Sequence, residues 1–412
     1  MAATSLTREL PQRVRLAVVS THPIQYYAPQ FAALARLASL RLRVFYTWPQ
    51  AARTVADAGF GRDIRWDLPL LSGYDHEFVE NTAPRPGPDH FRGVVNPRLC
   101  RAIAAWKPDA VLVFGWNLYS HLQALRYFKG RVPVLFRGDS TLLDPRPPLA
   151  TLARRLMLRW VYRHIDAAIA VGSNNADYFR WCGVPSARIA FAPHAIDTAR
   201  FADEAAHAQQ TRRFREQLGI AAGERVLLYA GKLIPKKDPL LLLQAYLDCR
   251  HPGHLVFVGD GALEPALRTL AQGRGNVHFL PFQNQQAMPA VYRLGDVFVL
   301  PSCGPGETWG LAINEAMASG RPVIASDRCG GARDLIDEGV NGWVFRAGDR
   351  GRLAARIAEV MSCDAGRLSG MGAAAHRASG QWSIEAAASD IGEAVLERVI
   401  PARAADCLPA GP

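Results

Sequence analysis

The sequence predicts an α/β protein made of two doubly wound domains with parallel sheets. Three observations predict it. Short apolar runs of strand length alternate with stretches of helical length and spacing. These runs fall into two blocks of about six on either side of residue 200, which fits two sheets better than one. The 412 residues leave room for two or three domains at about 100–200 residues each.

In the first block the expected strands are 14–20, 42–46, 110–114, 132–136, 167–171 and 188–191. A helix is expected over 149–164, where Arg155, Arg159 and Arg163 form a stripe at a spacing of four. That stripe either meets anionic lipid headgroups or is a solvated helix face packed on the sheet. The second block has expected strands at 226–230, 254–258, 277–280, 297–300, 322–325 and 342–345. Helical stretches at 240–249, 263–271, 287–294 and 311–319 lie between them. The boundary falls between Asp197 and Glu224, because 203–217 is polar and precedes a fresh strand. This gives domains 1–198 and 205–380. The Ala- and Pro-rich end, 401–412, is expected to be a frayed tail.

Composition narrows the class. Hydrophobic residues at 49% and charged residues at 21% exclude disorder or coiled coil for most of the chain. No apolar run reaches the roughly 18–20 residues of a membrane span. Residues 1–12 carry no apolar signal core, and the seven cysteines are odd in number without a C-x-x-C clip. The expectation is a cytoplasmic protein with reduced thiols, at most peripheral at the inner membrane face. The net charge of +11 is carried by the first half: residues 1–200 hold 26 of the 48 Lys and Arg but 14 of the 37 Asp and Glu. A basic first domain could face nucleic acid, an anionic membrane or a phosphorylated small molecule, or simply reflect an Arg-rich composition.

The chemistry-bearing motifs lie in the second half. A strand ends at Gly231, and Lys232, Lys236 and Lys237 follow within six residues. Lysines at the carboxyl end of a strand suit a diphosphate as compact charges; the bland alternative is a solvated basic turn. Lys236, adjacent to Lys237, is expected to point elsewhere. Next, 256–258 leads into Gly259-Asp260-Gly261, which lacks the third glycine of a dinucleotide fingerprint. It reads equally as a loop lining a nucleotide cleft or a tight strand-to-helix turn. The most specific segment is 300–315. A strand ends at Leu300, a loop of small and rigid residues carries Glu307 and Trp309, and a helix opens after Gly310 at Leu311. Glu315, at i+4 from Leu311, projects from one turn inside that helix. Two carboxylates flanking a helix end that can bind an anion can grip hydroxyls on both sides of a diphosphate, as a sugar nucleotide presents them.

The run Glu307 to Glu315 resembles the E-x7-E element of the retaining GT-B glycosyltransferases of family 4. Gly231 to Lys237 is similar to that family's G-R-L-x-x-x-K segment, with Lys232 in place of Arg. Val258 to Gly261 resembles its V-G-x-G loop, and 330–342 its G-G-x-x-E-x-I…N-G element. The likeness covers roughly 190–385. It implies two Rossmann-like domains facing a central cleft, with a terminal helix over 381–400 crossing back onto the first. It also implies that Lys232 and Lys237 neutralise the leaving diphosphate, that Glu315 holds the ribose hydroxyls, and that Glu307 contacts the donor sugar. Gly231, Gly259, Gly261, Phe282, Trp309, Gly310 and Leu311 would complete the donor side. No cofactor is implied, and no metal, since lysines and a helix end supply the charge; the chain also lacks a D-x-D.

The first half departs from the family. In place of a Gly-rich loop it has Ser20-Thr21-His22-Pro23-Ile24-Gln25-Tyr26. This opening resembles a bacterial subset of the family associated with surface polysaccharides. His22, Gln25 and Tyr26 are candidate acceptor or cleft contacts, with a turn-capping role open for His22. Where relatives place a His, this chain has Arg137 and Asp139, which either face the cleft or pair with each other. His194 stands where the family has Asn, as hinge or cleft lining. The expected partners are a nucleotide-sugar donor and a hydroxyl acceptor, not nucleic acid. Other functions open to such a sequence are a phosphorylase or epimerase on the same fold, the epimerase disfavoured by E-x7-E, and a non-catalytic sugar-nucleotide binder. A dehydrogenase is disfavoured by the missing third glycine.

Overall fold

The computed structural model describes residues 13–51, 55–57, 59–249 and 253–406. Fifteen strands are named here in chain order: β1 Val14–Ser20, β2 Leu40–Tyr46, β3 Val55–Asp57, β4 Arg62–Ile64, β5 Asp75–Phe78, β6 Ala110–Phe114, β7 Val134–Arg137, β8 Ala167–Ala170, β9 Ile189–Phe191, β10 Val226–Ala230, β11 His254–Val258, β12 Val277–Leu280, β13 Val297–Leu300, β14 Val323–Ser326 and β15 Gly342–Phe345. All but β3, β4 and β5 coincide with or overlap an expected strand.

Two parallel sheets result. The first has the order β5-β2-β1-β6-β7-β8-β9 and the second β12-β11-β10-β13-β14-β15. The interior strands read as apolar runs because helices cover both faces of each sheet; every residue of β6, β10 and β13 is buried. The strand order reverses between β1 and β6 in the first sheet and between β10 and β13 in the second. These switch points are where such sheets open a crevice beyond the strands' carboxyl ends.

The segment 203–217, expected as a polar boundary, is the helix Glu204–Gln217, capped by the Asp203 side chain on the amide of Ala206. Its polar composition reflects a helix lying on the surface of the second domain, with no fully buried residue. The final helix, Ile384–Asp406, places Ile384, Ala387, Ile391, Val395 and Val399 in the first domain's core beside β1 and the helix Ala28–Arg36. It therefore runs through the first six residues of the expected tail, and 407–412 lie outside the described residues. Ile196 bridges Ser383, so the two chain crossings between the domains run side by side. Among the described residues six cysteines are free thiols, and no helix is long and apolar enough to cross a membrane.

Candidate functional site

The loops beyond β10, β11 and β12 and the helix Leu311–Ala318 surround a cavity of about 390 Å³ between the two sheets. Gly231, Lys232, Lys236, Lys237, Gly259, Phe282, Leu311 and Glu315 line it from the second domain, together with Tyr292. Gln25, Tyr26, Asp57, Phe60 and Trp66 line it from the first. Gly259 sits there at φ +130°, and a β-carbon would stand 2.1 Å from the carbonyl oxygen of Gly231, so only glycine lets these two loops meet.

Each lysine has an anionic or carbonyl partner. Lys232 Nζ lies 2.8 Å from both carboxylate oxygens of Asp57 and 5.1 Å from the ring centroid of Phe60. Asp57 belongs to the β3–β4 hairpin of the first domain, which reaches across the cleft. Phe60 packs edge-on against Phe282 at 4.8 Å, and Arg62 pairs with Asp260 at 3.0 Å. Lys237 Nζ is 2.7 Å from Glu307 Oε2. Lys236 donates to the carbonyl of Gly306 at 2.6 Å and stands 3.9 Å from Glu307. The expectation that Lys236 turns away is corrected: Pro235–Lys237 forms a 3₁₀ turn, and both lysines reach the same loop.

The two glutamates differ. Glu315 is buried, accepts from Tyr292 Oη at 2.7 Å and from Tyr26 Oη at 3.2 Å, and has its carboxyl pushed upward by burial. Tyr26 thus bonds directly to the expected ribose-binding carboxylate across the domain boundary. Glu307 is also buried, held by Lys237 and by Ser302 Oγ at 3.2 Å, and does not line the cavity; Lys237 does. The Gly330–Gly331 pair makes room for this loop. The Gly330 amide donates to Glu307's carbonyl at 3.2 Å, and a β-carbon on Gly330 would stand 1.8 Å from the carbonyl oxygen of Thr308.

Other expected residues lie outside the cavity. Trp309 is buried in packing, its indole donating to Asn314 Oδ1 at 2.8 Å and its ring 5.0 Å from Trp382. Gly310, at φ +90°, caps the helix, and Gly261 packs against the backbone of Leu233. His22 bonds Thr21 Oγ1 at 3.0 Å and meets Trp48 edge-on; burial lowers its pKa to about 4. Arg137 does not face the cleft. It is buried under the hinge and donates to the carbonyls of Ala192 at 3.0 Å and Pro193 at 2.8 Å, making no ion pair with Asp139 among the described residues. Asp139 instead accepts from Thr308 Oγ1 at 2.6 Å in the second domain. His194 stacks on Tyr27, its carbonyl accepts from Asn314 at 3.3 Å, and burial lowers its pKa to about 4.

Asp57, Phe60, Trp66 and Tyr292 were not singled out from the sequence. The hairpin's strands are three residues each, too short for a periodic signal. Tyr292 sits in a helix that reads as core. A larger cavity, about 650 Å³, lies at the opposite edge of the second sheet, where Arg225, Asp296 and Pro322 precede β10, β13 and β14. Doubly wound sheets do not assemble their ligand crevice at that edge.

Comparison with known proteins yields two family matches: "Glycosyl transferases group 1" over residues 210–377 and "Glycosyltransferase Family 4" over residues 65–200. The chain is 33% identical over 218 residues to a D-inositol 3-phosphate glycosyltransferase of Nocardia farcinica, covering 49% of this chain and 46% of that protein. It is 31% identical over 253 residues to a GDP-mannose-dependent alpha-(1-6)-phosphatidylinositol monomannoside mannosyltransferase of Mycobacterium tuberculosis, covering 58% and 64%. The chain thus spans about half the length of the curated relatives it matches. HepE of Anabaena, solved in complex with UDP and glucose, superposes with a TM-score of 0.68 at 19% identity, over 93% of this chain and 100% of that one.

Proposed function

Because the chain belongs to the GT-B glycosyltransferases of family 4, we propose that it moves a sugar from a UDP- or GDP-sugar to a hydroxyl acceptor with retention of configuration. The acceptor is a glycan, a lipid-linked glycan or a small molecule in bacterial surface polysaccharide, glycoconjugate or natural-product assembly. The enzyme works in the cytoplasm or at the inner face of the membrane. One observation carries the reading: Lys232, Lys236, Lys237 and the buried Glu315 converge on one cavity at the switch point of the second sheet. The named relative and the solved neighbour that use GDP-mannose or hold UDP support the choice of bases.

In this reading the diphosphate takes Lys232 from Asp57 and lies against Lys237, while the ribose hydroxyls take Tyr26's place on Glu315. As the glycosidic bond breaks, the diphosphate gains roughly one unit of negative charge, which Lys237 is placed to meet. Glu307 holds Lys237 in position from behind. The lysines supply the positive charge, so the reaction runs without a metal. The test is a screen of UDP-, GDP-, ADP- and dTDP-sugars for donor hydrolysis and transfer, with and without EDTA. Turnover of a UDP- or GDP-sugar that survives chelation supports the proposal. No turnover with any donor, or full loss on chelation restored by Mg²⁺, contradicts it.

A further inference from the structure

The helix Pro148–Tyr162 of the first domain carries a second apolar stripe on its solvent side. Leu158, Val161 and Tyr162 pack into the core, yet Leu149, Leu152, Leu156 and Trp160 are exposed, Leu149 at 83%. Spacings of three and four put those four on one stripe. Twelve large apolar residues are exposed among the described residues, and five of them, counting Met157, stand on this one helix. That is a concentrated patch and not the usual scatter.

The charge around the stripe is of one sign. Between Asp144 and Asp166 the sequence has five arginines and no carboxylate. Arg159 and Arg163 make no ion pair among the described residues, and the Arg163 and Arg126 guanidinium groups lie 5.7 and 5.8 Å from the Trp160 ring centroid. A second copy of the same face would set arginine against arginine, whereas an anionic lipid surface complements it. At 15 residues, about 22 Å, the helix is too short to span a bilayer but suits one lying in the headgroup plane.

The patch adjoins the cleft. Asp144, four residues before the helix, accepts from the Gly306 amide at 2.8 Å, and the Leu143 carbonyl accepts from Arg328. The helix's most exposed end therefore starts beside the loop that carries Glu307.

We propose that the helix Pro148–Tyr162 docks the protein on an anionic membrane surface, with Leu149, Leu152, Leu156 and Trp160 in the headgroup layer and the cleft mouth at the lipid. This deepens the glycosyltransferase reading, which it needs only to make the acceptor a lipid-linked one. The test is flotation of the full chain with phosphatidylcholine vesicles and with vesicles containing 30% phosphatidylglycerol, at low salt and at about 0.15 M salt. Binding to the anionic vesicles only, weakened by salt, is expected. L152S/L156S and R159Q/R163Q should each lower that binding about tenfold or more while leaving the melting temperature and UDP or GDP binding unchanged. Wild-type chain that floats with neither vesicle, or variants that float like wild type, overturn the proposal. So does a dimer in sedimentation that L152S/L156S dissociates, which would assign the face to a second copy. Nucleotide binding is read separately, so failure here leaves the donor site standing.

Discussion

Asp57→Asn should tighten donor binding. Asp57 meets Lys232 at 2.8 Å through both carboxylate oxygens, and in the proposed donor complex the diphosphate displaces it. At that distance the Coulomb attraction is about 1.5 kcal/mol with the dielectric of water and about 6 kcal/mol at an effective value of 20. Lys232 is a third exposed and Asp57 a fifth, so screening and desolvation leave a net of about 1 kcal/mol. Asparagine keeps an oxygen for the turn that Asp57 makes with the amides of Gly59 and Phe60, so the hairpin should persist. The expected result is nucleoside diphosphate affinity raised roughly fivefold, since 1.4 kcal/mol is tenfold. The assay is isothermal titration of wild type and variant with UDP and GDP at one salt concentration. Unchanged or weaker affinity, in a variant that melts as wild type does, would refute the idea that Asp57 stands in the diphosphate's place.

Lys237→Ala should lower kcat by about 10²–10³ with a smaller change in donor Kd, because in the proposed reaction the charge it meets grows in the transition state. Adding Glu307→Gln should recover thermal stability lost by unpairing that buried carboxylate without recovering kcat. Donor affinity should fall as pH drops, with a midpoint above the ordinary carboxylate range, because burial raises the pKa of Glu315 and the proposed ribose contact requires the ionised carboxylate; in Glu315→Gln that limb should vanish. Stability should fall as pH drops from about 6.5 towards 4. His121 and His194 are buried with pKa values lowered to about 4, so the unfolded chain binds protons that the folded chain refuses. Each contributes up to about 3 kcal/mol, and melting curves across that window check it.

The alternation of apolar runs made twelve of the fifteen strands legible, because a strand covered on both faces must be apolar along its length. Much of the second-domain side of the cavity was legible too: Lys232, Lys237, the glycines and Glu315 follow strands in sequence, so the chain order itself puts them at the sheet's edge, whereas Tyr292 and the inward turn of Lys236 were not. What stayed hidden depends on contacts between distant segments. Nothing local marks Asp57 as the partner of Lys232, 175 residues away, or Tyr26 as the partner of Glu315. Trp309 reads as a ligand contact beside Glu307, but its neighbour Trp382 arrives from the far end of the chain and buries it. Arg137 reads as a cleft residue, and only the fold brings the carbonyls of Ala192 and Pro193 to it.

On the proposed function, the nucleotide of the donor binds the second-domain side of the cavity between the two sheets. A crystal structure of the protein with UDP or GDP tests it most directly. The expected result is the diphosphate within hydrogen-bond reach of Lys232 and Lys237, the ribose hydroxyls on Glu315, and Asp57 and Tyr26 displaced from those groups. A nucleotide seated in the first domain, or one bound with the Lys232–Asp57 and Tyr26–Glu315 contacts intact, would contradict it.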